Sequence, residues 1–323
     1  MTAFTHHLVT GAAGFIGSHL IDHLQDLGIR VTGVDSLKLG RAANLATAGQ
    51  KNSFRLIQAD LNDIHAWNDE VSRLHREQPI SLVWHMAANS DIQAGVRDAR
   101  VDLQDTFMTT FHVLDWMRRE NVREIAFASS SAIYGPLEGF IGESAGPCQP
   151  ASNYGAMKLA SEGAICAATH AFLDRATLYR FPNVIGPRST HGVIHDLVKK
   201  MRSGQNPLQV LGDGTQEKPY LHVTELVDAM LHIQRHGTQR INCVNISPAD
   251  TATVRFIAEA VRDAVDPSAG IQFGSTPQGW VGDVTKYAFD TQLLTRLGWQ
   301  ATFSSQDAVR RAVREIAAEI QTA

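Results

Sequence analysis

Three glycines spaced three residues apart follow the first apolar run and restrict the fold more than any other feature. From residue 10 the chain reads T-G-A-A-G-F-I-G-S-H-L, so Gly11, Gly14 and Gly17 form a G-x-x-G-x-x-G turn that opens an amphipathic helix. The first glycine permits a tight turn, the second lets the backbone approach a phosphate, and the third lets the helix lie close to the strand. The first helical turn, with Phe15 and Ile16, presents N–H groups and the positive end of the helix dipole. The sequence predicts a pyrophosphate-binding turn here.

Short β-rich runs alternate with helical patterns along the first half of the chain. The predicted strands are Phe4–Thr10, Arg30–Asp35, Ser53–Ala59, Leu82–His85, Glu124–Ser129 and Ala176–Phe181. Several runs are continuously apolar, as in residues 125–128, which is typical of strands covered on both faces. The sequence therefore predicts an α/β fold with a doubly wound parallel sheet of the Rossmann type.

Prolines and glycines divide the chain into shorter elements from about Thr190 onward. We interpret residues 1–187 as a dinucleotide-binding domain. Residues 188–323 are expected to form mainly a smaller C-terminal substrate-binding lobe, with some segments returning to the first domain. The periodicity of Val223–Ile233, Val254–Val265 and Ser305–Ile320 predicts helices that need a neighbouring surface.

Composition excludes several classes of protein. The 29 Lys and Arg residues are outnumbered by 33 Asp and Glu, giving a net charge of −4 without a long basic run, so a nucleic acid partner is not expected. The three cysteines, Cys148, Cys166 and Cys243, are far apart and suggest neither a disulfide framework nor a zinc cluster. With no apolar leader or membrane-length apolar window in the sequence, we expect a cytoplasmic protein with no membrane partner.

An acidic residue follows the second strand. Asp35 lies close to the expected distance of ~20 residues beyond the glycine turn, where a carboxylate accepts hydrogen bonds from ribose hydroxyls. This favours NAD over NADP, because a 2′-phosphate would be repelled. Lys38 and Arg41 lie near enough to oppose that preference, and a helix or turn cap is the structural alternative for Asp35.

A second acidic residue follows the third strand. Asp60, with Leu61 beside it, is placed to present a carboxylate to the adenine amino group. Capping of a helix that begins at Asn62 is the alternative.

A phenol and an ammonium group stand four residues apart in Tyr154-Gly155-Ala156-Met157-Lys158. On a helix that Pro150 and Ser152 could initiate, this spacing puts both side chains on one face. A tyrosine with an ordinary pKa near ~10 is a poor base at neutral pH, but a fixed cation and an oxidised nicotinamide both favour the phenolate. The hydroxyl-rich run after residue 128 lies at the carboxyl end of a predicted strand, where such sheets bind ligands.

Together these segments resemble the extended short-chain dehydrogenase/reductase family, the NAD-dependent nucleotide-sugar epimerases and dehydratases, over nearly the whole chain. The matching segments are Thr10–Leu20, Val34-Asp35, Asp60-Leu61, His85–Ala88, Ser129–Gly135, Tyr154–Lys158, Arg180–Asn183, Gly186–Arg188 and Gly212–Gly214 with Tyr220–Val223. The resemblance implies that NAD is the cofactor and that Tyr154 is the base. It implies that Ser130 hydrogen-bonds the reacting hydroxyl and that Lys158 binds the cofactor ribose. The implied cofactor-binding residues are Gly11, Gly14, Phe15, Ile16, Gly17, Asp35, Asp60, Leu61, Ala87, Tyr154 and Lys158.

Two positions separate the reactions within this family. Family dehydratases carry Asp-Glu after the active hydroxyl residue, and decarboxylases carry Glu two residues before the Y-G tyrosine, whereas this chain has Ser131 and Ala132. Elimination or decarboxylation lacks its acid, while epimerisation needs one base and a retained cofactor. We expect a UDP-hexose 4-epimerase acting through a transient 4-keto sugar. The alternatives are a UDP-glucuronate 4-epimerase, another nucleotide-sugar oxidoreductase or dehydratase, and a non-catalytic NAD-binding sensor.

The resemblance also implies a set of residues that contact the nucleotide sugar. They are Ser90, Ser130, Ser131, Asn183, Arg188, Val210, Lys218, Tyr220 and Asp283. Lys218 and Trp280 stand where many galactose-type epimerases carry arginine, and lysine lacks the bidentate fork of arginine. Trp280 either stacks on the base or fills space. Arg188 is open to a uronic acid carboxylate, a diphosphate or a structural salt bridge.

Two further patterns have structural alternatives. Phe107, Phe111 and Leu114 form an apolar stripe on a helix predicted near residues 100–120, which is either core or half of a helix-pairing interface. The resemblance implies a homodimer through this helix and the helix near residues 152–170. The histidines show no ligand spacing, so no metal is expected, and His85 is interpreted as positioning the cofactor loop.

Overall fold

The computed structural model describes residues 5–137, 139–279 and 284–322. In chain order the described strands are β1 (His6–Thr10), β2 (Arg30–Asp35), β3 (Phe54–Gln58), β4 (Ile80–His85), β5 (Glu124–Ala128), β6 (Phe140–Ile141), β7 (Arg175–Arg180), β8 (Asn183–Ile185), β9 (Leu208–Val210), β10 (Glu217–Lys218), β11 (Tyr220–His222), β12 (Ile241–Asn245), β13 (Ala252–Thr253), β14 (Ile271–Phe273) and β15 (Ala288–Phe289). The described α-helices are α1 (Phe15–Asp26), α2 (Ile64–Glu77), α3 (Ile92–Arg97), α4 (Ala99–Asp102), α5 (Thr109–Arg119), α6 (Asn153–Ala171), α7 (Val193–Arg202), α8 (Val223–His236), α9 (Val254–Val265), α10 (Gln292–Arg296) and α11 (Ser305–Thr322). A π-helical segment, Leu103–Met108, joins α4 to α5.

Seven of the described strands form one sheet in the order β12-β7-β5-β4-β1-β2-β3. All neighbouring pairs from β3 across to β7 are parallel. The strand order reverses between β1 and β4, and in such sheets the carboxyl ends of the strands on either side of the reversal bind ligands. The predicted doubly wound parallel sheet is confirmed.

The six predicted strands are present, and each bound differs by no more than two residues from the sequence expectation. Continuous apolarity was the correct signal, because four of the five residues of β5 are buried. The sequence analysis did not identify β12 as a strand of this sheet. Its sequence, I-N-C-V-N, places asparagines within the run, and it lies at the sheet edge, where burial is incomplete.

The chain forms two compact units. The first comprises residues 1–133, 152–180 and 234–244 and contains the large sheet. In its core, Trp67, Trp116 and Phe127 are buried together with aliphatic side chains of the strands.

The second unit comprises residues 134–151, 181–233 and 245–323. Its own core is formed largely by α7, α9 and α11, which pack on one another and on short paired strands. The parallel pairs β8–β11 and β9–β14 belong to this unit. The three helices predicted between residues 223 and 320 are confirmed as α8, α9 and α11.

The helix predicted near residues 100–120 is continuous in direction but widens into the π-helical segment after Asp102. In this wide turn, threonine hydroxyls provide hydrogen bonds to a backbone carbonyl. The hydroxyls of Thr109 and Thr110 both donate to the Thr106 carbonyl oxygen at 3.0 Å. The apolar stripe divides here: Leu114 is buried in the core, whereas Phe111 is 51% exposed. Across the described helices, none has the length and apolarity required to cross a membrane.

Candidate active site

The glycine turn joins β1 to α1 in the predicted manner. Gly11 has φ +67°, and a Cβ there would lie 2.8 Å from the amide nitrogen of Ala87, so both backbone conformation and space require glycine. Gly17 lies in the first turn of α1, where a Cβ would lie 2.1 Å from the carbonyl oxygen of Gly11. The helix therefore starts in direct contact with the turn.

The N-terminus of α1 has the properties of an anion site. Gly14 is the N-cap residue and provides no side-chain hydrogen bond, and the first turn, with Phe15 and Ile16, carries no acidic residue. The first amide N–H groups of a helix have no partner within the helix and carry a partial positive charge. Together with the glycine-lined turn, this end of α1 fits the pyrophosphate of a dinucleotide.

Asp35 ends β2 and fixes the glycine turn. Its Oδ2 accepts a hydrogen bond from the Ala13 amide at 2.8 Å, and its Oδ1 accepts one from the Leu37 amide at 2.7 Å. The turn-capping role considered from the sequence is therefore present. A carboxylate has about four acceptor sites, so these two bonds leave capacity for ribose hydroxyls.

Asp60 follows β3 and forms an ion pair with Lys38, the lysine whose charge would favour NADP. The Lys38 Nζ lies 2.7 Å from Asp60 Oδ2 and 3.3 Å from Asp105 Oδ1. Burial raises the pKa of Asp60, but hydrogen bonds from Lys38 and from the Asn62 amide outweigh it, so the pKa falls below its usual value. The Lys38 charge is thus neutralised within the first unit. Helix α2 begins later than expected, at Ile64, so Asp60 caps a turn and not a helix.

The two apolar residues predicted beside the cofactor contribute differently. Leu61 is 4% exposed, and its carbonyl accepts from the Trp67 indole at 3.2 Å, so its side chain belongs to the core. The amide of Ala87 donates to the Thr10 hydroxyl at 3.3 Å, directly over Gly11.

Arg41, the second cation near Asp35, has an exposed side chain, and its amide donates to the Ala13 carbonyl at 3.0 Å.

His85 ends β4 and is buried between two hydroxyl groups. Its Nδ1 lies 2.7 Å from Thr10 Oγ1, and its Nε2 lies 3.0 Å from Thr110 Oγ1. Burial lowers the pKa of His85 to about 3, so the ring is neutral. These bonds tie the end of β4 to β1 and α5, which agrees with a positioning role. In the parts of the chain that the structure describes, no three His, Cys, Asp or Glu side chains are grouped to hold a metal ion.

Tyr154 and Lys158 lie on one face of α6, as their spacing predicts. Ser152 caps this helix by accepting from the Gly155 amide at 3.1 Å. The Lys158 Nζ lies 5.8 Å from the centre of the Tyr154 ring and donates to the Ala128 carbonyl at 2.6 Å. Lys158 is 2% exposed, whereas Tyr154 retains partial exposure.

Ser130 completes the group. Its hydroxyl is hydrogen-bonded to the Tyr154 hydroxyl, and its Oγ accepts from the Ala132 amide at 3.1 Å. The structure therefore brings together the three residues that the sequence analysis named as catalytic.

The electrostatics of the group differ from the sequence expectation in one respect. Burial raises the pKa of Tyr154 to about 12, and the hydrogen bond from Ser130 only partly offsets this. Burial also lowers the pKa of Lys158 to about 7, although the charges of Glu162 and Asp102 oppose the decrease. The phenol therefore keeps its proton at neutral pH, because burial and the charge of Asp102 both raise its pKa. A further positive charge is needed to form the phenolate.

Two buried carboxyl groups near this face were missed from the sequence. Asp102, at the end of α4, is fully buried and accepts from the Asn89 side-chain amide at 2.8 Å, and burial raises its pKa. Glu162 lies one helical turn beyond Lys158 and is 4% exposed. The spacing of Glu162 from Lys158 was a usable signal, whereas nothing in the sequence marks Asp102 as buried.

The remaining predicted substrate residues of the first unit lie near strand ends. Ser90 is exposed in the loop after β4, and Ser131 is partly exposed in the short 3₁₀ turn after β5. Ala132 follows in the same turn. No carboxyl side chain occupies the positions of Ser131 and Ala132.

In the second unit, the predicted substrate residues fall into two groups. Asn183 is exposed at the start of β8, Arg188 has φ +66° and its amide donates to Glu319 at 2.8 Å, and Lys218 is half-buried in β10. Val210 and Tyr220 are 5% and 3% exposed and belong to the core of this unit.

Since the Val210 and Tyr220 side chains pack inward, ligand contact at these two positions would use the backbone. Trp280 and Asp283 lie outside the described residues.

Comparisons with known proteins identify the family to which the chain belongs. A UDP-glucose 4-epimerase of Mycolicibacterium smegmatis is 28% identical over 314 residues, covering 95% of this chain and 96% of the relative. A crystal structure of a UDP-galactose 4-epimerase superposes with a TM-score of 0.84 at 32% identity, covering 98% of this chain and all of that one. The UDP-glucose 4-epimerase of Thermus thermophilus, solved in complex with NAD, gives 0.83 at 27% identity over 97% of this chain and 99% of that one. Residues 7–246 match the NAD dependent epimerase/dehydratase family, and the chain belongs to that family.

Proposed function

We propose that this protein is an NAD-dependent UDP-hexose 4-epimerase that uses Tyr154 as its base. The observation that carries the proposal is the group in which Ser130 hydrogen-bonds Tyr154 and the buried Lys158 lies one helical turn away. Family membership and the relatives named UDP-glucose 4-epimerase support the same activity.

The glycine turn, the α1 N-terminus and Asp35 are the residues that would hold NAD. They fit a dinucleotide because a side chain at Gly11 or Gly17 would strike backbone and because α1 starts without a capping side chain. When bound, NAD supplies the hydride acceptor and a positive nicotinamide ring. Pairing of Lys38 with two aspartates removes a cation that would otherwise favour a 2′-phosphate.

The side chains of the protein then transfer one proton from the sugar and back to it. In its phenolate form, Tyr154 takes the proton of the sugar 4-hydroxyl, which Ser130 orients by a hydrogen bond, and the resulting phenol returns that proton to the 4-oxygen after the keto sugar has turned over. A phenol with a pKa of about 12 needs positive charge beside it to act as a base at neutral pH. Lys158 supplies positive charge beside the phenol in its protonated form, and a bound oxidised nicotinamide would add to it.

The residues after Ser130 argue against competing reactions. Dehydration requires an acid that protonates a leaving hydroxyl, and the serine and alanine at positions 131 and 132 provide none at neutral pH. Epimerisation requires no group beyond those described.

We further propose that two copies pair through α5 and α6 in the cytoplasm. Val96 on α3, Leu103 on the π-helical segment and Phe111 on α5 are 47%, 40% and 51% exposed, which supports an apolar contact surface on the first unit. Cys148, Cys166 and Cys243, all within the described residues, form no disulfide, which fits a reducing compartment. Light scattering should give twice the chain mass, and Phe111→Glu should shift the protein to the monomer.

The activity is tested by separate incubation with UDP-glucose, UDP-N-acetylglucosamine and UDP-glucuronate, followed by NMR of the sugar protons. We expect interconversion at C4 of UDP-glucose without accumulation of NADH. If UDP-glucuronate alone were converted, the substrate would be a uronic acid and not a neutral hexose. If NADH formed in proportion to product, the reaction would be a net oxidation and not an epimerisation.

A further inference from the structure

A buried ion pair lies behind the Tyr154 and Lys158 face. Arg180, the last residue of β7, donates from Nε to Glu162 Oε1 at 2.9 Å and from Nη2 to Glu162 Oε2 at 2.6 Å. The two side chains are 10% and 5% exposed. The Ser129 hydroxyl also donates to Glu162 Oε1. Three donors therefore hold this carboxylate in one orientation.

The ion pair is attached to both elements that carry the candidate catalytic residues. Glu162 lies four residues after Lys158 on α6, so the two side chains share a helix face. Ser129 lies between Ala128, whose carbonyl accepts from Lys158 Nζ at 2.6 Å, and Ser130. A displacement of Glu162 would therefore change the negative charge near Lys158, and it would move Ser130 through the end of β5.

Stability alone gives a weak reason for this arrangement. Burial of two charges costs several kcal/mol per ion, and apolar replacements of buried ion pairs are often neutral or stabilising. Lys158, in contrast, has a specific need for negative charge, since burial lowers its pKa to about 7. The charge of Glu162 opposes that decrease, ahead of the charge of Asp102.

We propose that Glu162 is a positioning residue that keeps Lys158 protonated and, through Ser129, fixes the end of β5, while Arg180 prevents the carboxylate from turning toward Lys158. The functional part of this inference rests on the proposed function, because there Lys158 acts as a cation.

The other ionisable groups facing Lys158 come from three elements. Asp102 lies on α4, Tyr154 lies on α6 and His85 ends β4. His85 is neutral because burial lowers its pKa to about 3, and Tyr154 is neutral because burial raises its pKa to about 12. Burial also raises the pKa of Asp102. Of the two carboxylates, Glu162 opposes the decrease in the Lys158 pKa more strongly than Asp102 does.

The test is an NMR titration of the full-length protein carrying ¹³C at the lysine ε-carbons, with and without NAD. The chain has seven lysines, and Lys158→Met identifies the Lys158 signal. Glu162→Gln should move the Lys158 midpoint to lower pH by about one pH unit. Glu162→Asp keeps the charge and should restore the wild-type midpoint.

The matched control is Arg180→Gln, which breaks the same ion pair but leaves the carboxylate. It should not lower the Lys158 midpoint. A merely structural ion pair would give the same change in both variants, so equal shifts, or no shift in Glu162→Gln, would overturn the proposal. If a single variant does not fold, the Glu162→Gln/Arg180→Gln double variant buries no lone charge. It should show the same lowering, and an unchanged midpoint there overturns the proposal.

The kinetic counterpart is the alkaline limb of the kcat profile, which Glu162→Gln should move to lower pH by the same amount. The titration uses no sugar nucleotide, so it decides the role of Glu162 even if none of the UDP-sugars is converted. Failure to convert them would contradict the proposed function alone.

Discussion

Substitution of Gly17 by alanine should show how far the cofactor turn depends on close packing between α1 and the backbone of the turn. In Gly17→Ala the new methyl group would lie 2.1 Å from the Gly11 carbonyl oxygen, whereas ordinary contact begins at 3.4 Å. The obstacle is backbone, so α1 must retreat from β1 by more than 1 Å.

Two opposing effects determine how much Gly17→Ala changes the free energy of unfolding. Alanine improves helix propensity over glycine by about 1 kcal/mol. Overpacking of a buried site costs about 1–3 kcal/mol, and the present overlap with backbone lies at or beyond the upper end. We expect a net loss of about 2 kcal/mol in the free energy of unfolding. NAD affinity should fall by at least about tenfold, because the helix N-terminus moves relative to the turn that shares the pyrophosphate.

Gly163→Ala is the matched control. Gly163 is exposed in the middle of α6, and a Cβ there meets nothing within 4 Å. This variant should gain about 0.5–1 kcal/mol. Guanidinium denaturation gives the free energies, and calorimetry of the NAD-free protein gives the affinities. A Gly17→Ala protein with wild-type stability and wild-type NAD affinity would refute the reasoning.

Three other substitutions test the remaining contacts of the first unit. Asp35→Ala leaves the Ala13 and Leu37 amides without their acceptor, so it should lose about 2–6 kcal/mol by denaturation, at about 1–3 kcal/mol per amide, together with NAD affinity. Lys38→Ala exposes the charge of Asp60, so calorimetry should show NADP binding weakened relative to NAD by about twofold to fivefold, and tighter NADP binding would contradict this. Ser152→Ala removes the cap of α6 and should cost about 1 kcal/mol by the same denaturation assay, with no loss indicating that the cap is compensated.

Local patterns determined how much of the first unit the sequence predicted. Continuous apolarity identified six strands of the sheet, and the glycine spacing located the turn before α1, because both features depend on residues close in sequence. Strand β12 was missed because its asparagines interrupt the apolar run at a sheet edge. Periodicity could not decide between core and interface for Phe111 and Leu114, because it marks an apolar helix face without showing what covers each residue; in α5, Leu114 is buried and Phe111 is exposed.

The site was predicted in its members but not in its electrostatics. The Tyr154 and Lys158 spacing and the hydroxyl run at Ser130 placed three side chains correctly. Their pKa values depend on burial by the whole unit, which raises the pKa of the phenol and lowers that of Lys158. Glu162 lies four residues after Lys158 on α6, a spacing that the sequence itself shows. Asp102 lies near Lys158 only because the fold brings α4 to α6, and no sequence motif encodes that proximity.

The central claim is that the Tyr154 hydroxyl moves the proton in the proposed epimerisation. Turnover of UDP-glucose by Tyr154→Phe, followed by NMR alongside calorimetric NAD binding, tests it most directly. The account predicts that C4 interconversion falls below detection while NAD still binds, because the ring and the fold remain and only the phenolic oxygen is lost. Interconversion at a rate close to that of the wild type would contradict it.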